Sequence, residues 1–258
     1  MNYVFLREGN QLPAVGVMQK LLNRTGATLT PDGIFGLRTK AAVQQFQKPR
    51  GLGVDGIVGQ NTWPRLVGGA NNLNIIDCID VFDPSLLNLE ARDIRRTGGN
   101  PILIGGMSNG VEQAVSDICR ATSLGSVFVL RFHGHGSPGS AGVSDGQGGI
   151  AGEHRSSIHT GNLPQLRPIL GRLRFIFGPY GCVQFMHCST GRGTSGRLLL
   201  SGIANELGVP VTAAVLDQFG GGLTTFRFEG PTFTAIPGGG SLREWCRRLP
   251  DFPKMTPT

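Results

Sequence analysis

With 258 residues, 39% of them hydrophobic and 16% charged, the chain has room for two domains or one large one and the make-up of a globular protein. No stretch approaches the ~20 apolar residues of a membrane helix, and the 41 glycines follow no collagen-like period, so they mark tight turns. The net charge of +7 gathers at one end: residues 1–69 hold eight Lys and Arg against three acids, the remainder 16 against 14, which suits the first part to an anionic surface such as nucleic acid or cell envelope.

The opening MNYVFLREGNQLP has no basic segment followed by an apolar core and a small-residue cleavage site, so export by the general secretory route is not expected from it. Five cysteines at 78, 119, 182, 188 and 246, without CxxC pairs, favour reduced thiols over a disulfide framework. An internal repeat comes next in the chain. Asp32-Gly-Ile-Phe-Gly-Leu-Arg-Thr39 returns 23 residues later as Asp55-Gly-Ile-Val-Gly-Gln-Asn-Thr62. Each Asp-Gly pair makes a turn, and each closing Gly and Thr introduces a helix. Residues 13–24, 37–47 and 63–66 read as three short helices; Pro13 opens the first, and Leu37, Val43 and Phe46 form the apolar side of the second.

The segment from Leu6 to Leu66, with L-R-E-G-N-x-x-P-A-V-x-x-M-Q-K-L-L-N followed by the two D-G-I-x-G units and T-W-x-x-L, resembles the peptidoglycan-binding domains found at one end of many bacterial cell-wall hydrolases. The resemblance implies noncovalent binding of peptidoglycan by a three-helix bundle without catalysis of its own. Asp32, Arg38 and Asn61 are the polar turn residues taken as ligand contacts. The expected boundaries are a binding domain at 1–68, a small polar linker at 69–74 across which the domains move, and a second domain at 75–258.

In the second domain, strands are expected at 75–82, 127–132, 182–186 and 209–216, with helices at 111–121, 163–173 and 195–207. This alternation means an α/β fold, a mainly parallel sheet covered on both faces. Residues 83–100 read as a polar, basic segment and 134–152 as a glycine-rich loop. Residues 223–228 and 232–236 read as a hairpin before a last helix at 242–249.

Two strands stop in the same manner: VFVLRFHGHGSPG delivers His133 and His135 onto a loop, and CVQFMHCSTGRG delivers His187 and Cys188. Open α/β sheets gather their reactive groups at the carboxyl ends of strands, so an imidazole and a thiol arriving there together suggest an activated nucleophile. Cys188 is the nucleophile in this reading and His135, at the mouth of an open turn, is the base. The backbone N–H groups of Cys188 and Gly136 are the oxyanion donors. Asp145 or Asp217 would select a basic side chain beside the scissile bond. No cofactor is needed by such a pair; the alternative is a zinc site made from His133, His135, His187 and Cys188, although no H-E-x-x-H motif exists.

The order His then Cys, with H-G-S-P-G and C-S-T-G-x-G loops from Val127 to Val215, resembles the caspase-like superfamily of cysteine peptidases, which spans caspases, gingipains, separase and bacterial relatives of the CHAT type. It implies an αβα sandwich with His135 as general base, Cys188 as nucleophile and Gly136 as oxyanion donor. His187 stands where caspases proper carry Ala, and their characteristic pentapeptide is missing. The function expected is a cell-wall-targeted cysteine hydrolase. Its partners are peptidoglycan and an amide substrate, either an envelope protein or the stem peptide itself, and not nucleic acid. Delivery is expected by a secretion or injection machine, as for an antibacterial effector held in check by an immunity partner, or by release as a phage-like lysin. The alternatives are a catalytically inactive wall-binding protein and a zinc hydrolase.

Overall fold

The computed structural model describes residues 2–68, 73–105, 110–143 and 157–254. In chain order the helices are α1 (Pro13–Asn23), α2 (Leu37–Gln47), α3 (Thr62–Val67), α4 (Pro84–Arg96), α5 (Val111–Ala121), α6 (Leu163–Leu170), α7 (Gly193–Leu207) and α8 (Leu242–Arg248). The strands are β1 (Asn74–Asp80), β2 (Ile102–Ile104), β3 (Val127–His133), β4 (Gly136–Ser137), β5 (Ser140–Gly142), β6 (Ser157–His159), β7 (Phe177–Phe185), β8 (Val211–Ala214) and β9 (Thr232–Ala235).

The first three helices form the bundle. Each D-G-I turn is built around a buried glutamine. Gln19 Nε2 donates to Asp32 Oδ1 (2.9 Å) and Ile34 O (3.1 Å), while its Oε1 accepts from the N–H groups of Asp32 and Gly33. Gln47 repeats the pattern on Asp55 Oδ1, Ile57 O and Gly56 N. Gly33 and Gly56 take positive φ angles of 74° and 71°, the left-handed conformation that such a turn requires. Leu37, expected inside, is 73% exposed.

The main sheet has the order β2-β1-β3-β7-β8-β9, with all neighbours parallel except the β8–β9 pair at the edge. Side chains alternate along each strand. One face, with Leu130, Phe132, Val183 and Phe185, packs on α5, α6 and α7. The other, with Ile79, Val129 and Cys182, packs on α4, α8 and the bundle. The bundle therefore shares an apolar core with the sheet. Phe5 N donates to Phe226 O (3.0 Å), Tyr3 stacks on Phe226 at 4.5 Å, and a Cβ on Gly16 in α1 would collide with Cys246 Sγ in α8. Close packing thus replaces the mobile junction expected from the polar linker composition; residues 69–72 lie outside the described residues, and Leu73 is buried.

Three further expectations are corrected. Residues 84–96 are helical, opened by Asp83, whose side chain caps the N–H groups of Ser85 and Leu86, with Pro84 in the first turn. The loop after β3 carries a small antiparallel sheet, β4-β5-β6. Residues 222–226 form a 3-10 turn, and β9 pairs with β8 instead of with them.

Candidate active site

β3 and β7 are neighbours, so the turns that follow them open on the same edge of the sheet. The glycines of HGHGSPG let these turns meet. A Cβ on Gly136 would stand 2.5 Å from Thr190 Oγ1 and 3.1 Å from Cys188 O, and one on Gly139 would run into Ser195. Thr190 ties the contact by donating to Ser140 O (2.8 Å) and accepting at its carbonyl from Gly139 N (3.1 Å). The structure thus brings the His135-Gly136 turn against the Cys188 turn.

His135 is 57% exposed, and its Nε2 lies 3.1 Å from Asp83 Oδ2. An ionised carboxylate only accepts, which assigns the ring proton to Nε2 and leaves Nδ1 as the basic nitrogen. The hydrogen bond from His135 is the main cause holding the Asp83 carboxyl below its ordinary range, helped by the N–H groups of Leu86 and Ser85. Asp83 is thus both the cap of α4 and the orienting partner of His135. Sequence reasoning passed over it; the Asp83-Pro84 pair was the available signal for a helix start.

Cys188 is half-buried, with Sγ 3.3 Å from both the N–H and the carbonyl of Gln218 in the turn after β8. The next residue, Ser189, has φ 51°, an uncommon left-handed conformation for a residue with a side chain. It is held by Ser189 Oγ donating to Asp217 Oδ1 (2.5 Å) and by Ser189 N donating to Leu216 O (3.0 Å). Asp217 therefore sits beside the thiol turn. Asp145 lies outside the described residues.

The other two histidines are interior. Burial would lower the pKa of His133, but Glu90 and Asp77 flank it, at 3.4 Å and 2.9 Å, and raise it to about 9. Burial pushes His187 down to about 4, and its Nε2 donates to Gly142 O at 2.7 Å. Among the described residues no group of three or more His, Cys, Asp or Glu is placed to hold a metal ion, so the set His133, His135, His187 and Cys188 is not assembled as a zinc site. On the bundle, the Asp32 carboxylate serves its own turn through Gln19 and Ile34 N, while Arg38 and Asn61 are exposed.

Residues 11–66 match the family described as "Putative peptidoglycan binding domain". The chain is 55% identical over 42 residues to a zinc D-Ala-D-Ala carboxypeptidase of Streptomyces albus G, covering 16% of each chain, and that match lies in the binding module. It is 49% identical over 55 residues to an uncharacterized protein of Kitasatospora aureofaciens, covering 20% of this chain and 47% of that one. The chain thus spans less than half the length of either relative. A solved peptidoglycan-binding protein from Clostridioides difficile, in complex with glutamine hydroxamate, is 40% identical over 24% of this chain and 39% of its own, with a TM-score of 0.24. Residues 11–66, which carry both turn-and-glutamine repeats, are thus the part of the chain that belongs to the peptidoglycan-binding domain family.

Proposed function

We propose that the chain is a wall-bound cysteine hydrolase, in which residues 1–68 hold peptidoglycan and residues 75–258 cleave an amide bond in the envelope. The observation that carries this reading is the contact of the His135-Gly136 turn with the Cys188 turn at one sheet edge, with His135 oriented by Asp83. A mainly parallel sheet with helices on both faces is what the caspase-like resemblance implies, and the chain carries such a sheet. In the proposed cycle His135 Nδ1 takes the proton of Cys188 Sγ, and the thiolate attacks the carbonyl carbon. The N–H groups of Gly136 and Cys188 receive the oxyanion. The amine leaves with the proton from His135, and water, deprotonated by the same nitrogen, hydrolyses the thioester. Asp217 is the acid available to a basic side chain next to the bond. Delivery as an antibacterial effector with an immunity partner, or as a lysin, belongs to the same proposal.

The test is digestion of purified sacculi by the wild type and by Cys188→Ala, with mass spectrometry of the released material. Stem-peptide fragments from the wild type alone are the expected result for a peptidoglycan amidase; release of envelope-protein fragments alone moves the substrate to protein. A second reading, a wall-binding protein without turnover, draws on the engagement of Cys188 Sγ by both backbone groups of Gln218. It requires Cys188 to react with iodoacetamide no faster than the exposed-edge thiol Cys119.

A further inference from the structure

The junction between bundle and sheet is tightly packed along most of its length, but it opens at one place into a cavity of about 170 Å³. One wall is the turn leading into α1, with Gly9, Asn10 and Gln11; the other is the segment entering β9, with Phe228, Pro231 and Thr232. Neither part of the chain makes this cavity alone.

Its walls are hydrogen-bonded into the rest of the chain. Gly9, at φ 93°, donates to Phe35 O (2.9 Å), Asn10 O accepts from Phe35 N (2.8 Å), and Asn10 Oδ1 accepts from Arg7 N (2.7 Å). Opposite, Pro231 O accepts from Val215 N (3.1 Å). The backbone is thus committed within the protein, whereas the Gln11 carboxamide and the Thr232 hydroxyl have no hydrogen-bond partner among the described residues. Two uncommitted neutral polar groups facing a flat ring and a proline suit an uncharged ligand with hydroxyl and amide groups on an apolar body. The volume, below the ~300 Å³ of ordinary ligand sites, admits one sugar ring or one or two amino-acid residues.

The far wall also leads to the thiol. Glu229 N donates to Gln218 Oε1 (3.0 Å), and Glu229 Oε2 accepts from Phe219 N (2.6 Å). Gln218 in turn touches Cys188 Sγ through both backbone groups at 3.3 Å. Anything that displaces residues 228–232 therefore bears on the turn that engages the thiol, two hydrogen-bonded steps away.

From this we infer that the junction cavity binds one N-acetylated sugar ring of peptidoglycan, the rest of the polymer lying outside it, and that its occupancy alters the exposure of Cys188 through the Gln218–Glu229 link. The inference rests on the wall-bound reading above and adds a second, composite site to it. The energetic route is differential binding: a ligand shifts the turn only as far as it prefers one of its arrangements.

The probe is the soluble, uncharged disaccharide of N-acetylglucosamine, titrated into the full chain by calorimetry, with the iodoacetamide rate at Cys188 read in parallel. Gln11→Trp, at an exposed position, fills the cavity mouth, and Thr232→Val removes only the hydroxyl. Wild-type binding, weakened about tenfold or more by Gln11→Trp and several-fold by Thr232→Val, together with a changed alkylation rate on binding, is the expected result. Equal affinity of wild type and Gln11→Trp overturns the site, and binding with an unchanged alkylation rate overturns the link to the thiol. Pull-down with whole sacculi separates the two levels: a chain that binds sacculi with the cavity filled keeps its wall-bound reading, whereas one that binds neither sacculi nor disaccharide loses both.

Discussion

Arg131→Met is expected to cost the folded state about 3–5 kcal/mol, the range for removing one partner of a buried ion pair. Arg131 is fully buried in mid-strand, with Nε 2.6 Å and Nη2 3.2 Å from the two oxygens of Asp77. Its remaining donors go to Tyr3 O (3.0 Å) and Asn2 Oδ1 (3.1 Å), at the start of the bundle, and Asn2 Nδ2 donates back to Asp77. With His133 and Glu90 beside them the four charges balance, and removing the guanidinium leaves one uncompensated anion in the core. Urea titration checks the figure; a loss under about 1 kcal/mol would falsify the ascription. The double variant Arg131→Met with Asp77→Leu is expected to recover much of the loss, because a buried pair adds little over apolar packing.

The same cluster sets a pH dependence. His133 titrates at about 9 in the folded protein against 6.5 for an ordinary histidine, so its contribution is complete below about pH 6.5 and disappears as pH rises through 9. His187, at about 4, acts in the opposite direction: its contribution is present above about pH 6.5 and is lost as pH falls toward 4. Asp77, which Arg131 and His133 hold below its usual range against the opposing effect of burial, adds a further loss in acid. Stability should therefore peak near pH 6–7 and fall on both sides, by up to about 3 kcal/mol per histidine at 1.36 kcal/mol per unit. His133→Gln should flatten the alkaline side of urea midpoints measured from pH 5 to 10.

The elements that were legible in the sequence are those whose inward faces are apolar. α5 occupies residues 111–121 as its periodicity predicts, and β3 and β7 surround the apolar runs that announced them. α4 escaped because its buried face carries Glu90 and Asp93 alongside Ala91 and Ile94. Those acids serve His133 on one side and Gly222 N (2.5 Å) on the other, so their burial depends on residues more than 40 positions away. Residues 223–228 have strand-like composition, yet the contacts of Tyr3 with Phe226 and of Asp93 with Gly222 fold part of them into a turn. Local propensity gives way to tertiary contacts there. The meeting of the HGHG and HCSTG turns was readable because both follow apolar strands of one parallel sheet. Asp83 and Gln218 were not, since both reach it through partners that are remote in sequence.

His135→Ala is expected to lower turnover of a cleaved envelope substrate about 10²–10⁴-fold, the span for loss of a general base. The rate of iodoacetamide reaction at Cys188 should fall in the same variant, since the group that takes the thiol proton in the proposed cycle is gone. Asp83 supplies the finer test because it has two jobs. Asp83→Asn keeps an acceptor for the α4 cap, and Asn caps about as well as Asp, but the carboxylate that fixes the Nε2 tautomer of His135 is lost. Its thermal midpoint should therefore stay near that of the wild type while kcat falls, by about tenfold or more, with KM little changed. Asp83→Ala should add about 1 kcal/mol of destabilisation from the missing cap. If Asp83→Asn leaves kcat intact and only Asp83→Ala is impaired, the carboxylate is a helix cap alone and His135 is oriented by its turn. If His135→Ala alkylates and turns over like the wild type, the imidazole is not the base. The nucleophile would then depend on the Gln218 N–H and on the turn at Ser189, and the two strand ends, though adjacent, would be joined by packing and not by chemistry.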